Sequence, residues 1–135
     1  MIKYINSLEN ISETNLEGFF VDWPNPPSPE KHLQLLNKSD YFWLAIDETT
    51  NDVVGFITAI SDKTLSAYIP LLEVLPPYKG KGIGSHLVKL MLETLKDFYM
   101  IDLMCDNNIV DFYKKFSMIK SQGMIMRNYN KQSGL

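Results

Sequence analysis

The chain has 135 residues, 45% of them apolar and 21% charged, with a formal net charge of −3. That length suits a single hydrophobic core, and that balance excludes both an intrinsically disordered chain and a general electrostatic affinity for nucleic acid. One cysteine, Cys105, permits no internal disulfide and cannot build a zinc site alone, so no metal is expected. No stretch approaches the roughly 20 apolar residues that span a bilayer. The first residues lack a basic segment followed by an apolar one, which sets the expectation of a cytoplasmic protein without a membrane partner.

Taken in order, Ile2 to Ile5 reads as an opening strand. Asn10 to Gly18 reads as a short helix, with Asn10 and Glu13 spaced as a capping pair and Gly18 as its stop. The run Trp23-Pro24-Asn25-Pro26-Pro27-Ser28-Pro29 is a stiff loop, and Ser28 before Pro29 predicts a second helix reaching about Lys38. Tyr41–Asp47 and Val53–Ile60 form a hairpin across the polar turn 48–52. Leu65 to Leu75 is a further apolar strand, in which Pro70 marks a bulge or an edge. From Ile83, apolar residues recur at Leu87, Leu90, Met91, Leu95 and Phe98, the spacing of a helix laid on a core.

Met100 to Cys105 reads as a buried strand, and Ile109, Phe112, Tyr113 and Phe116 as a fourth helix. Met118 to Tyr129, interrupted by Gln122-Gly123, reads as two short strands. The expected fold is therefore one α/β (α+β) domain over 1–135: a mixed, mostly antiparallel sheet of six to seven strands with four helices on both faces.

The most informative segment is Leu75-Pro76-Pro77-Tyr78 followed by Lys79-Gly80-Lys81-Gly82-Ile83-Gly84-Ser85. Alternating glycines allow backbone N–H groups to converge on a ligand, and the helix that follows adds its free N–H groups and positive dipole end. Such a turn suits phosphate, with Lys79 and Lys81 adding charge. The glycines alone are equally compatible with a flexible turn that binds nothing. The P-loop spacing is absent, and the dinucleotide fingerprint fails because Ser85 stands where its third glycine belongs.

In its context of strand, Leu-Pro-Pro-Tyr and apolar helix, this segment resembles the Arg/Gln-x-x-Gly-x-Gly/Ala acyl-CoA motif of the GNAT acetyltransferase superfamily. Phe112-Tyr113-Lys114-Lys115-Phe116-Ser117-Met118 is similar to that family's Phe-Tyr-x-x-x-Gly-Phe segment. The resemblance implies an N-acetyltransferase that moves the acetyl group of acetyl-CoA directly to an amine in a ternary complex. The alternative it leaves is a non-catalytic acyl-CoA sensor of the same fold. The chain departs from the pattern at three places: Lys79 for Arg or Gln, Ser117 for glycine, and Asp106 where many members carry asparagine. Ser117 predicts a somewhat different turn, and Asn107 or Asn108 is expected to replace the missing asparagine.

By the same resemblance, a bulge in the fourth strand frees a backbone N–H near Val74 or Leu75 to bond the thioester oxygen. Tyr113 occupies the general-acid position, where its phenol would protonate the departing sulfur; the plain alternative is a core tyrosine. Glu73 is the only charge between Thr64 and Tyr78, and in an apolar run it is either a base or ammonium anchor, or a residue at a splayed strand end. Phe20, Asp22 and Trp23 are expected to wall the acceptor site with Glu73, while Phe19 caps the core. His32 and His86 read as surface or capping residues. A small-molecule amine is favoured over a peptide because the chain is short for a peptide groove. A homodimer is compatible with the family.

Overall fold

The computed structural model describes all residues, 1–135. One five-stranded sheet runs β1 (Ile2–Ile5), β2 (Tyr41–Asp47), β3 (Asp52–Ser61), β4 (Ser66–Val74) and β5 (Met100–Leu103), in sequence order across the sheet. The first four strands are antiparallel, and β5 joins β4 in parallel through the crossover helix α2 (Ile83–Thr94).

Two cores lie on opposite faces. On one, α2 packs Ile83, Leu87, Val88 and Met91 onto Ala45, Ile57, Ala59, Ala67 and Ile69. Gly55 in β3 permits the close approach, because a Cβ there would lie 3.2 Å from both Ile83 and Leu87. On the other face, α1 (Pro29–Lys38) and a 3-10 turn (Glu13–Leu16) bury Leu16, Phe19, Phe20 and Leu36 against Leu44, Ile46, Val53 and Phe56. The helix starts as its sequence predicts, with the Lys31 N–H donating to Ser28 Oγ at 3.1 Å.

The sheet has five strands and the molecule three α-helices, α3 being Val110–Lys114, against the six to seven strands and four helices expected. Two physical reasons account for the difference. Asn10 has a left-handed φ of 65°, which an N-cap residue does not adopt; Ser12 takes that place, and a single 3-10 turn forms instead of a helix. At the other end, residues 118–127 form no backbone–backbone hydrogen bond, so the two strands expected between Met118 and Tyr129 do not exist within the chain. Strand β5 also ends at Leu103, before Cys105. No helix is long and apolar enough to cross a membrane.

Candidate active site

The site is built around an opening beside β4. Thr58 faces Leu71 and Ile60 faces Tyr68, so Ile69 and Pro70 together oppose Ala59 alone, a β-bulge in β4. Proline, with no N–H to donate, suits that position. On its other side β4 is paired only from Ser66 to Ile69, because β5 ends there. From Pro70 to Val74 that edge has no neighbouring strand. The Leu75 N–H donates to Val54 O at 2.8 Å and is therefore engaged. Antiparallel alternation then turns the Val74 N–H away from β3, into the opening. Of the two donors expected, Val74 is the free one. It is freed by the end of β5, while the bulge itself lies earlier, at Pro70.

The glycine turn follows immediately. Gly80 and Gly82 adopt φ of 78° and 82°, a conformation costly for residues with a Cβ, and Gly82 is the N-cap of α2 with no side-chain cap. The first backbone bond of the helix is from His86 N–H to Gly82 O. All six N–H groups from Gly80 through Lys81, Gly82, Ile83 and Gly84 to Ser85 are consequently without an acceptor in the protein. The loop is fixed from below by a clamp that the sequence did not suggest: Tyr78 donates its hydroxyl to Asp47 Oδ2 at 2.6 Å. That bond, and the Thr49 N–H, hold the Asp47 carboxyl below its usual range. Lys81 extends over the Tyr78 ring, 5.5 Å from its centroid. Lys79 is exposed.

Helix α3 brings Tyr113 to the same region. Phe112 packs edge-on against both Tyr113 and Phe116, and its Cζ lies 3.8 Å from where a Gly84 Cβ would be, which ties α3 to the glycine turn. Tyr113 is buried, and burial, with a smaller contribution from Cys105, pushes its phenol up to about 12. It is therefore a protonated donor at neutral pH. Tyr113, Cys105 and Asn107 line one groove of about 910 Å³; Asn108 lies exposed beside it. Ser117 has φ of 66°. Serine thus takes the left-handed conformation that a glycine would, and the expectation of a different turn is corrected.

On the opposite face of the sheet, Glu73 accepts the Phe20 N–H at 2.9 Å and the Val21 N–H at 3.3 Å. It forms no ion pair with a lysine. Phe20 and Asp22 have left-handed φ of 61° and 67°, so this carboxylate holds a strained loop in place. The Phe20 ring is buried at 4% exposure and belongs to the core, as does Phe19, whereas Trp23 and Asp22 stay open. His32 is not at the surface: it is 1% exposed among Phe19, Phe20 and Phe56, with neither ring nitrogen hydrogen-bonded. Its position one turn before Leu36, on the buried side of α1, was the available signal. His86 stacks on Tyr4 at 4.0 Å.

Comparison with known proteins identifies the family of the chain. Residues 8–118 match the model of the acetyltransferase (GNAT) family. An uncharacterised N-acetyltransferase, ycf52, of Pyropia yezoensis is 30% identical over 122 residues, covering 87% of this chain and 70% of that one. Among crystal structures, a proposed acetyltransferase of Deinococcus radiodurans R1 superposes with a TM-score of 0.96 at 40% identity, over 99% of this chain and 93% of the other. A GNAT-family acetyltransferase of Streptococcus pneumoniae TIGR4 gives 0.71 at 30% identity, over 95% and 98%. The chain therefore belongs to the acetyltransferase (GNAT) family, as an acyltransferase of the N-acetyltransferase class.

Proposed function

We propose that the chain binds acetyl-CoA at the glycine turn and transfers the acetyl group directly to a small amine in a ternary complex. The observation that carries this reading is the run of six N–H groups without an acceptor from Gly80 to Ser85, at the start of a twelve-residue helix. With Lys79 and Lys81 beside them, these groups suit a pyrophosphate in number and charge. Acetyl-CoA, the cofactor generally used by the family, supplies an acyl group activated as a thioester.

The residues divide the work by position. The Gly80–Ser85 N–H groups hold the pyrophosphate, and Asn107 and Asn108 flank the remainder of the cofactor. The free Val74 N–H bonds the thioester oxygen, stabilising charge as it develops there; Leu75 supports the turn through its bond to Val54. Tyr113 gives its proton to the departing sulfur, a role supported by burial that keeps the phenol protonated. On the acceptor side, Glu73 keeps one lone pair on each oxygen beyond those used by Phe20 and Val21. These lone pairs receive the amine proton or the ammonium, between Asp22 and the exposed edge of Trp23. Phe20 acts there through its backbone.

Calorimetric titration with acetyl-CoA, with ATP and NAD as controls, tests the assignment. Acetyl-CoA alone is expected to saturate. Gly84→Val is expected to weaken it by at least tenfold, about 1.4 kcal/mol, since a Cβ there lies 3.8 Å from both Phe112 and Val74 and the added methyl groups would push α3 and β4 away from the turn. An absence of binding at millimolar acetyl-CoA refutes the reading.

A further inference from the structure

We infer that the acceptor amine carries a carboxylate at the other end of a short aliphatic chain, and that a pocket on the face of α1 holds this carboxylate. The inference deepens the acceptor side of the proposed function and rests on Glu73 as the place of the amine.

The pocket, of about 400 Å³, lies between α1 and the bulged part of the sheet, with Thr58, Pro70 and Leu71 on the strand side. On the helix side, Lys31, Leu35 and Lys38 recur at the spacing of one helical face, so both ammonium groups border the same space. Ser133 and Gly134 close the pocket from outside. A Cβ at Gly134 would lie 3.7 Å from Lys31 Cδ, so the stem of that lysine is covered.

The chemistry of the lining asks for an anion. It carries the two lysines and no acid. Neither ammonium has a carboxylate partner within the chain. Asp40, just beyond the helix, is taken by Lys63 at 3.5 Å and by the Ser61 N–H at 2.7 Å. Lys31 Nζ is held instead by Gln34 Oε1 at 3.0 Å, which leaves the Gln34 amide N–H groups to donate. Thr58 has the one buried side-chain hydroxyl of the chain without a hydrogen-bond partner, and an anion above it supplies an acceptor. The walls of Leu35, Ile60 and Leu71 suit a hydrocarbon tail, so the ligand is an aliphatic carboxylate.

The spacing to Glu73 sets the length of that tail. Leu71 and Glu73 point to the same face of β4, as do their β3 partners Thr58 and Phe56. The pocket at Leu71 thus starts about 7 Å along the strand from Glu73. Between them the edge of β4 has no neighbouring strand, so a ligand has room to lie along it. An α-amino acid, with both charges on one carbon, is too short to reach the two ends. An amine joined to its carboxylate through several methylenes spans them, with Glu73 and Asp22 at its positive end and Lys31 and Lys38 at its negative one. The reaction stays the one proposed. The N–C bond forms as the C–S bond breaks, the amine proton goes to Glu73, and Tyr113 protonates the thiolate.

Caproate, which has the carboxylate and the aliphatic chain but no amine, tests the pocket without acetyl-CoA. Titrated into the full chain at millimolar concentration, it is expected to shift the backbone amide NMR signals of Lys31, Thr58 and Leu71 to saturation. Lys31→Met with Lys38→Met keeps the apolar stems. It is expected to weaken caproate at least about tenfold, with an unchanged far-UV circular dichroism spectrum. Thiol release from acetyl-CoA then reads the acceptor class. In kcat/KM, ε-aminocaproate is expected to exceed both hexylamine and α-aminobutyrate at least about tenfold, and the double variant to lose that preference. Caproate that does not bind, or that binds the double variant equally well, overturns the proposal whatever acetyl-CoA does. So does an enzyme that binds acetyl-CoA but uses hexylamine as readily as ε-aminocaproate, or acetylates neither. If caproate is held and acetyl-CoA is not, the cofactor assignment fails and takes the acceptor class with it, while the pocket stands.

Discussion

Lowering the pH should loosen the loop at Phe20, the proposed acceptor wall, through one residue, His32. Its ring is 1% exposed and surrounded by Phe19, Phe20 and Phe56, and burial lowers its pKa from the ordinary 6.5 to about 4. The unfolded chain therefore binds a proton that the folded chain refuses. Stability is intact above pH 6.5, falls as the pH drops below it, and levels off once the pH passes the folded value near 4. At 1.36 kcal/mol for each pH unit between the two values, the loss between pH 7 and pH 4 comes to about 3 kcal/mol. Phe20 lies on this ring and donates its N–H to Glu73, so the loop of the acceptor wall is weakened with it. The assay is urea unfolding at half-unit pH steps for the wild type and His32→Leu. Carboxylates elsewhere contribute equally to both, and the difference isolates the histidine. Leucine should be neutral or stabilising at pH 7, because it removes two buried ring nitrogens that lack partners. Parallel stability curves for the two proteins would refute the reasoning, as would an NMR titration midpoint for His32 near 6.5.

Tyr113→Phe is expected to lower kcat by roughly 10²–10⁴-fold while leaving the acetyl-CoA dissociation constant unchanged; an unchanged kcat removes the general-acid role. Because the phenol stays protonated up to about pH 12, the wild-type rate should show no alkaline loss from this group up to pH 10. Glu73→Ala removes the acceptor of two backbone N–H groups, and thermal unfolding should register a loss of about 1–3 kcal/mol. Glu73→Gln keeps one acceptor oxygen and should recover much of that stability, while the KM for the amine stays raised. Ser117→Gly should stabilise the chain by about 0.5–1 kcal/mol, since it relieves a left-handed φ of 66°; a lower melting temperature contradicts this account.

What could be read from the sequence was whatever depends on near neighbours. The start of α1 is announced by Ser28-Pro29, and the glycine turn by residues whose positive φ demands glycine. The helical spacing from Ile83 marks α2. What could not be read depends on distant partners. Asn10 and Ser12 are both plausible caps, and only packing puts Asn10 in a left-handed conformation. The clamp from Tyr78 to Asp47 spans 31 residues, and the bonds from Phe20 and Val21 to Glu73 span 53 and 52; no local pattern encodes either. The arm after Met118 has the composition of a strand, but a strand exists only where another lies beside it.

The order of residues along β4 bears on the route of the acetyl group. Neighbouring residues of a strand point to opposite faces of the sheet. Glu73 accordingly reaches the face of α1 and the loop at Phe20, while Val74 lies against Gly84 on the face of α2. Within the interior of a sheet these two faces are sealed from each other by the strand alongside. Here β5 stops at Leu103, opposite Ile69, and the edge past Pro70 stays open. On the proposed assignment, the cofactor side and the acceptor side meet at this point of the backbone, where the Val74 N–H is free. A direct attack needs amine and thioester present together at that point, and two consecutive residues of one strand address them from the two faces. That placement is what favours a ternary complex.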